Sequence, residues 1–169
     1  MSEEGIPKVE SRDHSFDFYN KRGREYVALN REFYSNSRDT GRNFIRAAIR
    51  EGIAKKVIAD IGCGAGDDVA AYVKMGAKRV IGVEPSRVML EEARKTLAEK
   101  GAEAELTEGE WERIPLPDES IDIATSRYSF HVQDSFDIAF REVARVLKPD
   151  GIFFVAAPHP IHDAKVIRE

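Results

Sequence analysis

Three glycines, Gly62, Gly64 and Gly66, stand within five positions directly after the apolar run "VIADI". Glycine loses more backbone freedom on folding than any other residue, so such a cluster marks a tight turn, a positive φ or a ligand held close to the main chain. Asp60 lies in that apolar run, where a carboxylate is costly to bury unless loop amides or a cationic ligand group meet it. Glu84 ends a second apolar run, "RVIGVE", where an acidic side chain accepts both hydroxyls of a ribose.

The spacing G-x-G-x-G falls one residue short of the G-x-G-x-x-G of dinucleotide sites. Asp67 and Asp68 follow at once, favourable to a helix dipole but repulsive to a bound pyrophosphate. The loop is therefore read as one for a nucleoside less anionic than a dinucleotide. Cys63 sits inside it as a small residue that lets the backbone approach, a steric role rather than a nucleophilic one.

As the single cysteine, Cys63 excludes an internal disulfide and fits a reducing, cytoplasmic setting. His159, His162 and Asp163 form a loose trio, fewer than the converging ligands a zinc site needs, so no metal is expected.

These residues need a scaffold, and the pattern supplies one. "KVIADIG" and "RVIGVE" read as buried strands, "AEAELTEGE" as a weaker alternating strand, and "SIDIATSRYSF" and "GIFFVAAP" as a fourth and fifth. Between them, "DDVAAYVKMG" reads as a helix closed by Gly76, and "SRVMLEEARKTLAEKG" as one capped by Ser86 and followed by Gly101. "SFDIAFREVARVLKPDG" reads as a helix stopped at Pro149, and "TGRNFIRAAIREGI" as an amphipathic helix ended by Gly52. Alternating strands and helices imply an α/β Rossmann-like three-layer sandwich, its parallel sheet ordered 3-2-1-4-5 with a crevice beside strand 1.

Residues 1–15 read as a flexible arm, 16–55 as an N-terminal helical segment with one or two short helices around Gly23 between Phe16 and Tyr34, and 56–169 as the core. With 169 residues, 42% hydrophobic and 33% charged, one domain is expected. A net charge of −4 without a long basic block argues against nucleic acid, and no apolar run approaches a membrane span.

From Lys56 to Pro158 the chain resembles the class I S-adenosylmethionine-dependent methyltransferases, in particular the small-molecule branch of the ubiquinone and menaquinone biosynthesis enzymes. "ADIGCGAG" is similar to that family's glycine-rich motif, "VIGVEPS" to its ribose-binding acidic motif, "EGEWERIPLPDESIDIATS" to its adenine loop and fourth strand, and "REVARVLKPDGIFFV" to the entry into strand five.

The resemblance implies a cofactor, S-adenosylmethionine, leaving as S-adenosylhomocysteine, and a small organic acceptor methylated at O, N or C. It implies that Asp60 and the backbone of Gly62, Cys63, Gly64 and Gly66 hold the methionine part, that Glu84 binds the ribose, and that Pro85 packs near the adenine. Glu110 would accept from the adenine amino group and the Trp111 amide would meet a ring nitrogen, the Trp111 indole either stacking or filling core. Ser126 and Arg127 would face the methionine end and the acceptor, Arg127 alternatively being salt-bridged.

His131 falls where relatives carry a histidine lining the acceptor site, and a neutral imidazole there would take the acceptor's proton, unless it is structural. The 16–55 segment would act as a lid, with Tyr26 touching the cofactor carboxylate.

The family's sheet usually continues with strands 6 and 7, which are lacking before Glu169. An uncovered strand-five edge would invite a homodimer. The shortness also leaves open an alternative, a cofactor-binding module that is inactive or completed by a partner.

Overall fold

The computed structural model describes residues 12–35, 40–130 and 135–157. Five strands, β1 (Val57–Ile61), β2 (Arg79–Glu84), β3 (Glu105–Glu108), β4 (Ile121–Arg127) and β5 (Leu147–Ala156), form one parallel sheet in the order β3-β2-β1-β4-β5. This is the expected Rossmann-like arrangement.

Every residue of β1 is buried, as a central parallel strand requires when helices cover both faces. Val57, Ala59 and Ile61 enter one core with Ala139, Val143 and Val146 of α5 (Phe136–Val146), joined by Trp111, Ile114 and Phe130. Ile58 enters the opposite core with Ile45 and Ile49 of α2 (Thr40–Ile49), Val69 and Tyr72 of α3 (Asp67–Lys74), and Leu97 of α4 (Arg87–Glu99). Asp60, two residues from Ile58, points to this second face. Asp60 pairs in register with Gly82 and Thr125 on its two sides.

Local chemistry sets the element ends. Ser86 accepts from the Met89 amide at 3.3 Å and caps α4, and Ser135 caps α5 through the Ile138 amide at 3.4 Å. Removing such a cap costs about 1 kcal/mol.

Three expectations change. The stretch from Phe16 to Tyr34 lies within one long helix, α1 (Arg12–Ser35), which continues through Gly23. The last helix ends at Val146 rather than at Pro149, because Leu147 already pairs with Ile121. The register then jumps to Ile123 opposite Ile152, so Lys148 to Gly151 bulge out, with Asp150 at φ 64. A bulge is where proline, lacking an amide donor, is tolerated. Third, β3 is only four residues long, since Gly109 must pass the Pro115 ring, whose Cδ would lie 2.3 Å from any added Cβ.

Among the described residues, no helix is long and apolar enough to cross a membrane.

Candidate functional site

β1 and β2 end side by side, and the chain turns at Gly62 with φ 73. The amides of Gly62 and Cys63 both donate to the Val83 carbonyl, at 2.8 and 3.1 Å. Gly66 donates to the Cys63 carbonyl at 3.0 Å, and Gly64 donates to Glu84 Oε2 at 3.0 Å. These four loop amides are thus turned inward, toward the protein's own carbonyls and carboxylate rather than outward.

The glycines act through closeness instead. A Cβ on Gly62 would lie 1.9 Å from Ser129 Oγ, whose hydroxyl donates to the Ile61 carbonyl at 3.0 Å and lies 3.0 Å from Ser126 Oγ. Tyr128, at φ 55, bends the chain after β4 so that Ser129 reaches that place. A Cβ on Gly66 would meet Ala93 Cβ at 3.0 Å, so this glycine lets α3 approach α4. At Gly64 the nearest atom is Met89 Cε at 3.5 Å, an ordinary contact.

Cys63 is buried against Gly82, where an added Cβ would lie 2.8 Å from its sulfur. Burial pushes the thiol well above its ordinary pKa, which suits a packing role and disfavours a thiolate.

Glu84 is 6% exposed, and each of its oxygens accepts one amide, Oε2 from Gly64 and Oε1 from Ser86 at 3.1 Å. Among the described residues, no cationic side chain pairs with it. Burial raises its pKa to about 7, against the opposing pull of the two backbone bonds. Asp60 accepts from the Thr125 hydroxyl at 2.8 Å. Burial, then the charge of Asp68, raise Asp60 to about 7, with Thr125 and Arg127 pulling the other way.

Asp68 lies in the first turn of α3 and is met by three guanidinium groups. Arg127 Nε is 2.7 Å from Oδ2, while Arg46 Nη2 and Arg42 Nε are 2.6 and 3.1 Å from Oδ1. Burial works to raise its pKa, but Arg127, Arg42 and Arg46 together hold it below the usual range. Asp68 is therefore a neutralised knot joining α2, α3 and β4, and not the repulsive charge expected from its place in the sequence. Asp67 pairs with Lys100.

Arg127 is thus salt-bridged, with its guanidinium 5.5 Å from the Tyr128 ring centre. Ser126 is wholly buried against Ser129. The Trp111 indole packs at a steep angle against Phe130 at 4.8 Å and near Phe153 at 6.3 Å, and so fills core. Glu110 is half-buried, bridged to Arg113, and Pro85 is half-buried between Glu84 and Ser86.

Tyr26 lies on α1, edge-on to Tyr19 at 5.1 Å and to Phe18 at 6.0 Å. His131, His159, His162 and Asp163 lie outside the described residues. Among the described residues, no three histidine, cysteine, aspartate or glutamate side chains converge as a metal site.

Sequence reasoning missed Ser129, Gly109, Asn20 and two arginines of the Asp68 knot, Arg42 and Arg46, while the salt-bridged alternative for Arg127 is the one the structure shows. Gly82, a glycine in mid-strand, was a visible sign of close packing. Arg42 and Arg46 carried no such sign, since positions 42, 46 and 68 meet only in the folded chain.

Residues 59–155 match the family described as a methyltransferase domain. Over 103 residues the chain is 41% identical to an uncharacterized methyltransferase, YcgJ, of Bacillus subtilis, covering 60% of this chain and 40% of that protein. It is 36% identical over 112 residues to the ubiquinone/menaquinone biosynthesis C-methyltransferase UbiE of Rubrivivax gelatinosus, covering 66% of this chain and 42% of the relative. The crystal structure of the Bacillus YcgJ protein superposes with a TM-score of 0.64 at 37% identity, over 68% of this chain and 49% of that one. A methyltransferase structure from Methanococcus maripaludis shares the fold with a TM-score of 0.71 at 22% identity, over 93% of this chain and 67% of that one. This chain thus spans less than half the length of these two sequence relatives. It belongs to the methyltransferase-domain family.

Proposed function

We propose that this member of the methyltransferase-domain family binds S-adenosylmethionine and moves its methyl group to a small organic acceptor. The observation that carries the reading is Glu84: a buried carboxylate at the end of β2, held by one amide per oxygen, that of Gly64 in the glycine loop and that of Ser86, and opposed by no cation among the described residues. A carboxylate oxygen offers about two acceptor sites, so each Glu84 oxygen retains one for a hydroxyl, as the vicinal pair of a ribose requires. A dinucleotide is disfavoured by the one-residue shortfall in glycine spacing.

The cofactor, when bound, supplies a methyl group already activated by its sulfonium. What remains for the protein is alignment, exclusion of water and removal of a proton. Glu84 holds the ribose, Pro85 and the Trp111 amide border the adenine, and Glu110 accepts from its amino group. Asp60, near neutrality in pKa, meets the amino-acid end beside Gly62, Cys63, Gly64, Gly66 and Ser126. Arg127, fixed by Asp68, positions the end of β4 where the acceptor approaches, and His131 takes the acceptor's proton. Tyr26 and α1 close the site from above. The edge of β5, which no other strand pairs among the described residues and where Ile152 and Val155 are about half exposed, pairs with a second copy of the chain.

Isothermal titration with S-adenosylhomocysteine tests the cofactor reading, and transfer of labelled methyl from S-adenosylmethionine to a panel of small acceptors tests the reaction. No binding by the wild-type chain, together with no effect of Glu84→Ala, ends the proposal. Sedimentation over a hundredfold range of concentration tests the pairing, which is wrong if the chain stays monomeric throughout.

A further inference from the structure

α1 packs against α4, and the contact includes two residues three apart on one helical face, Asn20 and Gly23. Gly23 is buried, and a Cβ there would come 2.9 Å from Met89 Sδ and 3.2 Å from Val88 Cγ1. The same Met89 side chain ends against the glycine loop, its Cε 3.5 Å from where a Cβ on Gly64 would sit. It therefore spans from the N-terminal helix to the loop.

A second connection runs in parallel. The Ser86 hydroxyl donates to Asn20 Oδ1 at 3.0 Å, while its oxygen accepts the Met89 amide at 3.3 Å. The Ser86 amide donates to Glu84 Oε1, and the Gly64 amide to Glu84 Oε2. Both routes leave α1 and end on the two amides that aim the Glu84 carboxylate.

Resting on the nucleoside reading of Glu84, we infer that Asn20 and Gly23 are positioning residues for the ribose-binding carboxylate. With α1 seated, Asn20 fixes the Ser86 hydroxyl and so the turn that presents the Ser86 amide. Seated Met89 holds Gly64 at the distance its own amide needs. Glu84, without a cationic partner among the described residues, depends on those two donors for its orientation, so a displaced α1 loosens the grip on the ligand's hydroxyls before it disturbs the core. The exposed pair Arg24 to Glu91, at 2.7 Å, adds little to the seating.

The test compares S-adenosylhomocysteine with its 2′-deoxy counterpart by titration calorimetry on the full chain at pH 8.5. Asn20→Ala is expected to weaken the first about fivefold, the worth of one ordinary hydrogen bond, and the second less than twofold. Asn20→Asp, which keeps an acceptor for the Ser86 hydroxyl, retains affinity within about threefold by the same reasoning. Gly23→Leu, which cannot fit against Met89, acts like Asn20→Ala. In a Glu84→Gln background Asn20→Ala produces no further loss, the sign of a shared route.

Equal losses for the two ligands, additive losses with Glu84→Gln, or unchanged affinity in Asn20→Ala each overturn the inference while leaving the cofactor reading intact. A wild-type chain that binds neither ligand overturns the cofactor reading, and the inference with it.

Discussion

Glu84 and Asp68 are acids of nearly equal burial, 6% and 5% exposed, yet their surroundings drive them in opposite directions. Glu84 meets backbone amides alone and is raised to about 7 by burial, whereas Asp68 meets Arg127, Arg42 and Arg46, which overcome burial and hold it low. A buried carboxylate encircled by guanidinium groups has its interactions met by the fold. One given a single amide per oxygen is pre-set for further donors, and hydroxyls are the natural ones. The difference separates a structural knot from a binding group more clearly than burial does.

The largest expected effect tests the knot. Asp68→Ala leaves guanidinium groups buried without their carboxylate and should cost roughly 3–5 kcal/mol in urea unfolding. A loss below about 1 kcal/mol, the range of exposed pairs, would show that solvent already serves those arginines.

Glu84→Gln should do the reverse. Affinity for S-adenosylhomocysteine falls about 30-fold, near the 2 kcal/mol typical of hydrogen bonds to a charged group, while stability at pH 8 changes by less than about 1 kcal/mol. A large loss of stability with unchanged affinity would exchange the roles assigned to the two acids.

The pH dependence sharpens the contrast further, because the signs differ. Glu84 and Asp60 are raised to about 7, so the native state holds protons that the unfolded chain releases at the ordinary carboxylate range. Their contribution is present below that range and is lost as pH rises through 7, a loss of roughly 3–4 kcal/mol for each group. Asp68 is held low, so its contribution is present above the ordinary range and is lost only as pH falls below it. Melting temperature should therefore decline from pH 5 to 8 and flatten in Asp60→Asn and Glu84→Gln. Ligand affinity should rise over the same interval, since the ionised carboxylate is the better acceptor. A melting profile unchanged by both substitutions would remove the assignment.

The smallest effect belongs to the surface. Arg24→Ala breaks an exposed pair with Glu91 and should change stability by less than about 1 kcal/mol. A larger loss would mean that seating α1 relies on charge rather than on Gly23 and Asn20.

Much of the fold was legible from the chain alone, for reasons visible in particular residues. Strands β1 and β2 are continuous apolar runs because a central parallel strand is covered twice, and Ser86 and Ser135 cap helices through contacts three residues away. The ends of β3 and α5 were less legible. Gly109 passing Pro115, and Leu147 pairing with Ile121, are meetings of residues distant in sequence, and local propensity does not report them.

By itself the sequence determined the alternation of elements, the glycine turn, and the presence of an acid at the end of β2. These follow from periodicity and from the limits each residue places on its own backbone. Only the tertiary structure decided what those residues do. It turned the loop amides inward to Val83, Glu84 and Cys63, buried Trp111 among phenylalanines, and surrounded Asp68, and not Glu84, with arginines. The electrostatic character of a carboxylate depends on burial and on which groups face it in space, and those partners come from positions that no local pattern brings together.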